Sequence, residues 1–180
     1  MAVTLFDPVG ARALLEMPDA ELGRRFKLAL VRVAGLATVL NVDPSSSLDE
    51  SAPGRKNPSS TRRKPTQASL VAKARLLGES DFRAAMGITN QRLSKDVAAR
   101  RLFSVDIDGE PYFPAFFLVK QVRKKDLANV VKALRDLTGW SKWEFFTTPV
   151  RTLGELTPLQ ALFYGDRKRV LRAAAEFAKR

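Results

Sequence analysis

The sequence predicts a mainly α protein. It comprises an N-terminal helical segment, a flexible linker, a three-helix unit closed by a β-hairpin, and a small C-terminal helical bundle. Three observations predict this. Apolar residues between 22 and 40 recur at alternating spacings of four and three. A proline- and serine-rich stretch over 43–66 separates them from the remainder. Beyond it, helical periodicity is punctuated by Gly78 and Gly87 and then by Asp108-Gly109, set between two β-type runs.

Asp7 is suited to cap, and Pro8 to open, a short amphipathic helix ending at Met17. After Pro18, Leu22, Phe26, Ala29, Val33, Leu36 and Leu40 form an a/d seam, which Val31, Ala34, Ala37 and Val39 widen. Such a helix cannot bury its apolar stripe alone. Its partner is either the same segment of a second chain or the downstream domain. The linker that follows favours the first, so residues 1–42 are expected to form a homodimerisation segment.

Residues 43–66 hold four Pro, six Ser and a Gly, with Leu48 the one large apolar side chain. That composition cannot offset the entropy lost on ordering, so a disordered linker is expected. Its second half, Arg55 to Pro65, is a basic arm. Arg62, Arg63 and Lys64 are suited to track phosphates or enter a minor groove, although a plainly solvated linker has the same composition.

Residues 67–118 read as a helix–turn–helix with a wing. A helix from Ser69 to Leu77 is closed by Gly78, and a second runs from Ser80 to Met86 with Phe82, Ala85 and Met86 inward. Gly87-Ile88 makes a tight turn. Thr89 then caps a third helix, Asn90 to Arg100, which buries Leu93 and Val97. Asp108-Gly109 between Leu102–Ile107 and Glu110–Pro114 is a type I′ hairpin signal, and a hairpin directly behind a third helix is a wing. Asp106, Asp108 and Glu110 are read as turn residues, because the rest of a calcium-loop pattern is missing.

The front of the third helix suits base reading. Asn90 and Gln91 can bond adenine edges, and Arg92 and Lys95 can reach guanine or phosphate. The candidate DNA contacts are therefore Thr89, Asn90, Gln91, Arg92, Ser94 and Lys95. Arg100, Arg101 and the wing would supply backbone contacts. Trihelical units also serve as packing modules, which keeps a protein-binding adaptor in play.

Residues 119–180 read as a small bundle. Its helices are expected at Asp126–Leu137, at Trp140–Phe146, from Pro158 behind a Thr157 cap to Gly165, and after Asp166.

Composition narrows the function. The chain has 180 residues, no Cys, no His and a net charge of +12. Zinc sites of the common kinds, thiolate nucleophiles and imidazole acid–base catalysis are thereby excluded, and no Ser–Lys or carboxylate pair stands at a catalytic spacing. No enzyme activity and no cofactor are expected. Residues 1–44 carry five basic and five acidic residues, while the rest of the chain is strongly basic. A neutral association element joined to something that meets a polyanion fits this split. The longest apolar run, Leu28 to Leu40, is 13 residues and interrupted by Arg32, too short to span a bilayer. The N-terminus lacks signal-peptide features. A cytoplasmic, nucleoid-associated protein is expected.

One run resembles a known family. Trp143 is followed by Pro149, then Leu153-Gly154, then Thr157-Pro158 opening a helix, then Leu162 and Gly165 before Val170 and an Ala-rich helix. This string is similar to the C-terminal domain of Xre/MbcA/ParS-type antitoxins. Arg101-Leu102-Phe103, Gly109 and Tyr112-Phe113-Pro114-Ala115-Phe116 also resemble the segment joining a helix–turn–helix to that domain. The resemblance covers roughly residues 69–180. It implies a DNA-binding regulator of its own operator whose C-terminal helices dock on a toxin, often of the NAD-consuming RES type. The toxin-facing surface it implies is the loop from Pro149 to Leu156 and the terminal helix, with Arg151, Leu153, Gly154, Arg167 and Arg169 as contacts.

Overall fold

The computed structural model of the chain describes residues 17–42 and 66–179. The helix expected from Pro8, the linker to residue 65 and the arm with Arg62, Arg63 and Lys64 lie outside the described residues. The described residues are mainly helical with one small antiparallel sheet, the class the patterning predicts. Its helices are α1 (Asp19–Leu40), α2 (Gln67–Ala72), α3 (Glu79–Met86), α4 (Asn90–Ala98), α5 (Lys124–Ala133), α6 (Gly139–Thr147), α7 (Pro158–Phe163) and α8 (Arg167–Phe177). Strands β1 (Leu76–Gly78), β2 (Val105–Ile107) and β3 (Glu110–Pro114) pair in the order β1-β3-β2. Among the described residues, no helix is long and apolar enough to cross a membrane.

Residues 67–114 run helix, strand, helix, helix, strand, turn, strand, a winged-helix order. The hairpin forms where Asp108-Gly109 marks it. Both residues have positive φ (54° and 84°), as a type I′ turn requires, and the Asp106 carboxylate accepts the Gly109 N–H at 3.1 Å. The first helix corrects the sequence reading. It stops at Ala72, Ala74 takes a left-handed φ of 51°, and Leu76 and Leu77 form a strand against Pro114 and Phe113. An apolar pair reads equally well as the end of a helix or as a buried strand, and the strand's partner lies far along the chain.

The core is continuous across residues 118 and 119. Phe82 stacks on Phe113 at 4.9 Å between ring centroids. Phe103 stacks on Phe146 at 6.0 Å, and Phe116 stacks on Trp143 at 5.9 Å. Residues of the winged unit and of the C-terminal helices therefore share one hydrophobic cluster. The C-terminal helices brace the winged unit rather than standing apart from it.

Helix α1 also belongs partly to this body. Its second half buries Val31, Gly35, Thr38 and Val39 against the turn Ala115–Leu118. A Cβ on Gly35 would stand 2.6 Å from the Ala115 carbonyl oxygen, so only glycine permits this approach. Gln160 of α7 donates to the Leu40 carbonyl at 2.9 Å, and Arg75 donates to the Val42 carbonyl at 2.9 Å. The downstream domain thus covers the flank that widens the seam, and of the seam itself Leu36 packs against the core. A long tether adds little to the entropy of docking, so the linker is no bar to this contact. On the other side of α1, Leu22, Phe26, Leu30 and Val33 stay exposed.

A candidate nucleic-acid interface on α4

Helix α4 begins where the chain can cap it. The Thr89 hydroxyl accepts the Arg92 N–H at 3.3 Å, which spends this side chain on one of the helix's orphan donors. Leu93 and Asp96 turn inward. Helical periodicity then sends Gln91 and Lys95 straight outward, with Asn90 and Ser94 on one shoulder and Arg92 on the other. All five are exposed.

The end of α4 is held by a motif the sequence does not announce. Arg100 adopts a left-handed φ of 55°, its N–H donates to Val97, and the Arg101 N–H donates to the Asp96 carbonyl at 2.8 Å. This is a Schellman closure with arginine where glycine is the common choice. It folds Arg101 back over the helix.

Asp96 is the residue that sequence reasoning missed. Its carboxylate accepts from Arg92 Nε at 3.0 Å and from Arg101 Nη1 at 2.8 Å. Burial works against its ionisation. The hydrogen bonds and positive charge of Arg101 and Arg92 outweigh that penalty and hold the carboxyl below its ordinary value. The Arg92 bond runs from Nε, so Asp96 orients the guanidinium without taking its terminal amino groups.

A depressed folded pKa stabilises the fold above the unfolded value of 3.8, and the contribution disappears as pH falls through the lower folded value. We expect Asp96→Asn to cost about 1 kcal/mol at neutral pH, a modest figure because both arginines are more than half exposed. Its thermal stability should also fall less steeply than that of the wild type as pH drops below 3.8. Equal acid sensitivity of the two proteins would refute this.

Beside the Arg92 shoulder, α4 and α5 frame a groove of about 690 Å³. Met86, Ile88, Leu102 and Phe117 contribute apolar lining, and Arg92, Arg101, Lys124, Lys125 and Lys132 contribute cations. At the far end of α4, Lys142 on α6 is a further cation. Its pKa is pushed down by burial and by the neighbouring Arg100 charge, with Asp136 working the other way.

The hairpin is different. Asp106, Asp108 and Glu110 are exposed, and no Lys or Arg lies between Val105 and Pro114. It leans on α6, where the Trp140 indole N–H donates to the Asp106 carbonyl at 3.0 Å. The expectation that the wing supplies phosphate contacts meets a surface of the wrong sign.

The residues implied for a toxin surface divide. Arg151 and Gly154 are exposed, Gly154 with the left-handed φ of 74° that ends the turn Arg151–Leu153. Leu153 is 2% exposed and fills the core, so it offers nothing to a partner. Arg167 lies 3.5 Å from the Asp126 carboxylate. Arg169 bonds Asp166 at 3.0 Å and the Thr152 carbonyl at 2.7 Å, tying the loop to α8.

No protein-family model, curated protein or solved structure matches the chain.

Proposed function

We propose that this protein binds double-stranded DNA, placing α4 in the major groove, and acts as a transcriptional regulator. The observation that supports this best is the outward row of Gln91 and Lys95, flanked by Asn90, Ser94 and Arg92, on the third helix of a winged unit. Amide and cationic side chains on such a helix are the groups that read base edges. The net charge of +12 supplies the long-range attraction.

Fluorescence anisotropy with a labelled mixed-sequence duplex tests the reading. Binding at low salt should weaken by orders of magnitude between about 50 and 200 mM salt, since each neutralised phosphate adds roughly 0.9 to the logarithmic slope. Absence of binding at low salt would overturn the proposal.

The exposed stripe of α1 supports a second element, pairing of two copies on a repeated half-site. Phe26 is 65% exposed, so Phe26→Glu should leave the monomer fold intact. Light scattering should then show a dimer for the wild type and a monomer for the variant. A wild-type monomer at the concentrations that bind DNA would contradict this.

The antitoxin character implied by the C-terminal string has a narrower footing. Arg151 and Gly154 are the implied contacts that remain exposed without an ion pair or buried role given above, and docking of a RES-like toxin would centre on them.

A further inference from the structure

We infer that Lys124, Lys125 and Lys132 of α5 hold the phosphate backbone beside α4, so that the second wall of the interface is this helix and not the hairpin. The inference rests on the DNA reading above and names the contacts that reading leaves open.

Arg92 stands on the shoulder of α4 that faces the groove, and the opposite rim is α5. Helix α5 turns Asp126, Leu127, Val130 and Val131 into the core. Its outward side therefore carries Lys125 and Lys132, seven residues or two turns apart, about 10 Å along the axis. Lys124 sits at the first turn, and all three lysines are exposed.

Charge decides what this arrangement accepts. Five cations line one groove, and the carboxylate among its lining residues, Asp96, is already committed to Arg92 and Arg101. The three lysines face this surplus of like charge, which a row of phosphates would neutralise. A base-reading helix must have phosphates close on both sides, because the major groove is bounded by two backbones. The α5 flank presents lysines to one of them. The hairpin presents Asp106, Asp108 and Glu110, which a phosphate would repel.

The test compares the full-length wild type with Lys124→Ala/Lys125→Ala/Lys132→Ala by anisotropy on one mixed-sequence duplex across about 50–200 mM salt. Three lost phosphate contacts lower the salt slope by roughly 2.7 and weaken binding on the order of a hundredfold at about 0.1 M salt, for every duplex sequence alike. The Lys→Arg triple variant keeps the charge and should retain the slope. Matching thermal melts would show that the alanine variant is folded, as expected for exposed helical positions. Wild-type binding with an unchanged slope in the alanine variant overturns the α5 assignment and leaves the DNA reading intact. That result would mark the groove for an acidic protein partner instead. No binding by the wild type removes both.

Discussion

Gln91→Glu/Lys95→Glu will lose duplex binding almost entirely, by more than a hundredfold at low salt, while melting at the wild-type temperature. Both side chains stand on the outward row of α4 and neither contributes to the core. The double variant removes a hydrogen-bonding amide and a cation, and it places two carboxylates against the most negative surface the protein is proposed to meet. Wrong-signed charge at an interface costs more than a missing contact. Anisotropy on the same duplex reads the result. Retention of binding within threefold would show that α4 does not face the DNA.

Gly139→Ala will destabilise the fold by about 3 kcal/mol, lowering the melting temperature by roughly 10 °C. A Cβ at this position would overlap the Ser104 carbonyl oxygen and press on the backbone of Ser104 and Val105. No flexible side-chain end is available to yield, so α6 must move away from β2. That helix carries Trp143, Phe145 and Phe146 into the aromatic core, and the displacement would propagate there. Gly23→Ala is the matched control. Gly23 lies in the exposed half of α1 with open space around its Cβ position, so alanine there should raise stability by up to about 1 kcal/mol. A Gly139→Ala protein that melts with the wild type would mean that α6 does not pack against β2 as described.

Much of the fold is legible because its signals are local. Thr157 and Pro158 mark the start of α7, and the capping box follows: Gln160 Oε1 accepts the Thr157 N–H at 2.9 Å while Thr157 Oγ1 accepts the Gln160 N–H at 3.1 Å. Gly87 and Thr89 bracket the turn into α4, and Asp108-Gly109 sets the hairpin register, with Ile107 opposite Glu110. What the residues hide is non-local. Strand β1 exists because Phe113 and Pro114 come to meet Leu76 and Leu77, and nothing near Leu76 in the sequence marks that pairing. The docking of α1 depends on Ala115 and Gln160, the latter 120 residues from the carbonyl it caps.

The candidate site follows the same division. The outward side of α4 can be read from 3.6-residue periodicity alone, and Asn90, Gln91, Arg92, Ser94 and Lys95 are exposed there. Asp96 could not be distinguished from an ordinary surface carboxylate, because its meaning depends on Arg101 being folded back by a left-handed Arg100. Lys124 and Lys125 were obscured by a boundary. Starting the helix at Asp126 leaves them in a loop, whereas α5 begins at Lys124 and aligns Lys125 with Lys132. The acidic hairpin was visible throughout. Its three carboxylates bear on DNA binding through their sign rather than through any cation they could hold.

Photocrosslinking from two positions on one protein tests the central claim most directly. A photoreactive residue replacing Gln91 on α4, or Asp108 at the hairpin tip, is irradiated in the presence of the duplex. Crosslinks to bases from position 91 and none from position 108 are the expected outcome. Crosslinks from position 108 with none from position 91 would contradict the account, and so would an absence of crosslinks from position 91 under conditions where the duplex is bound.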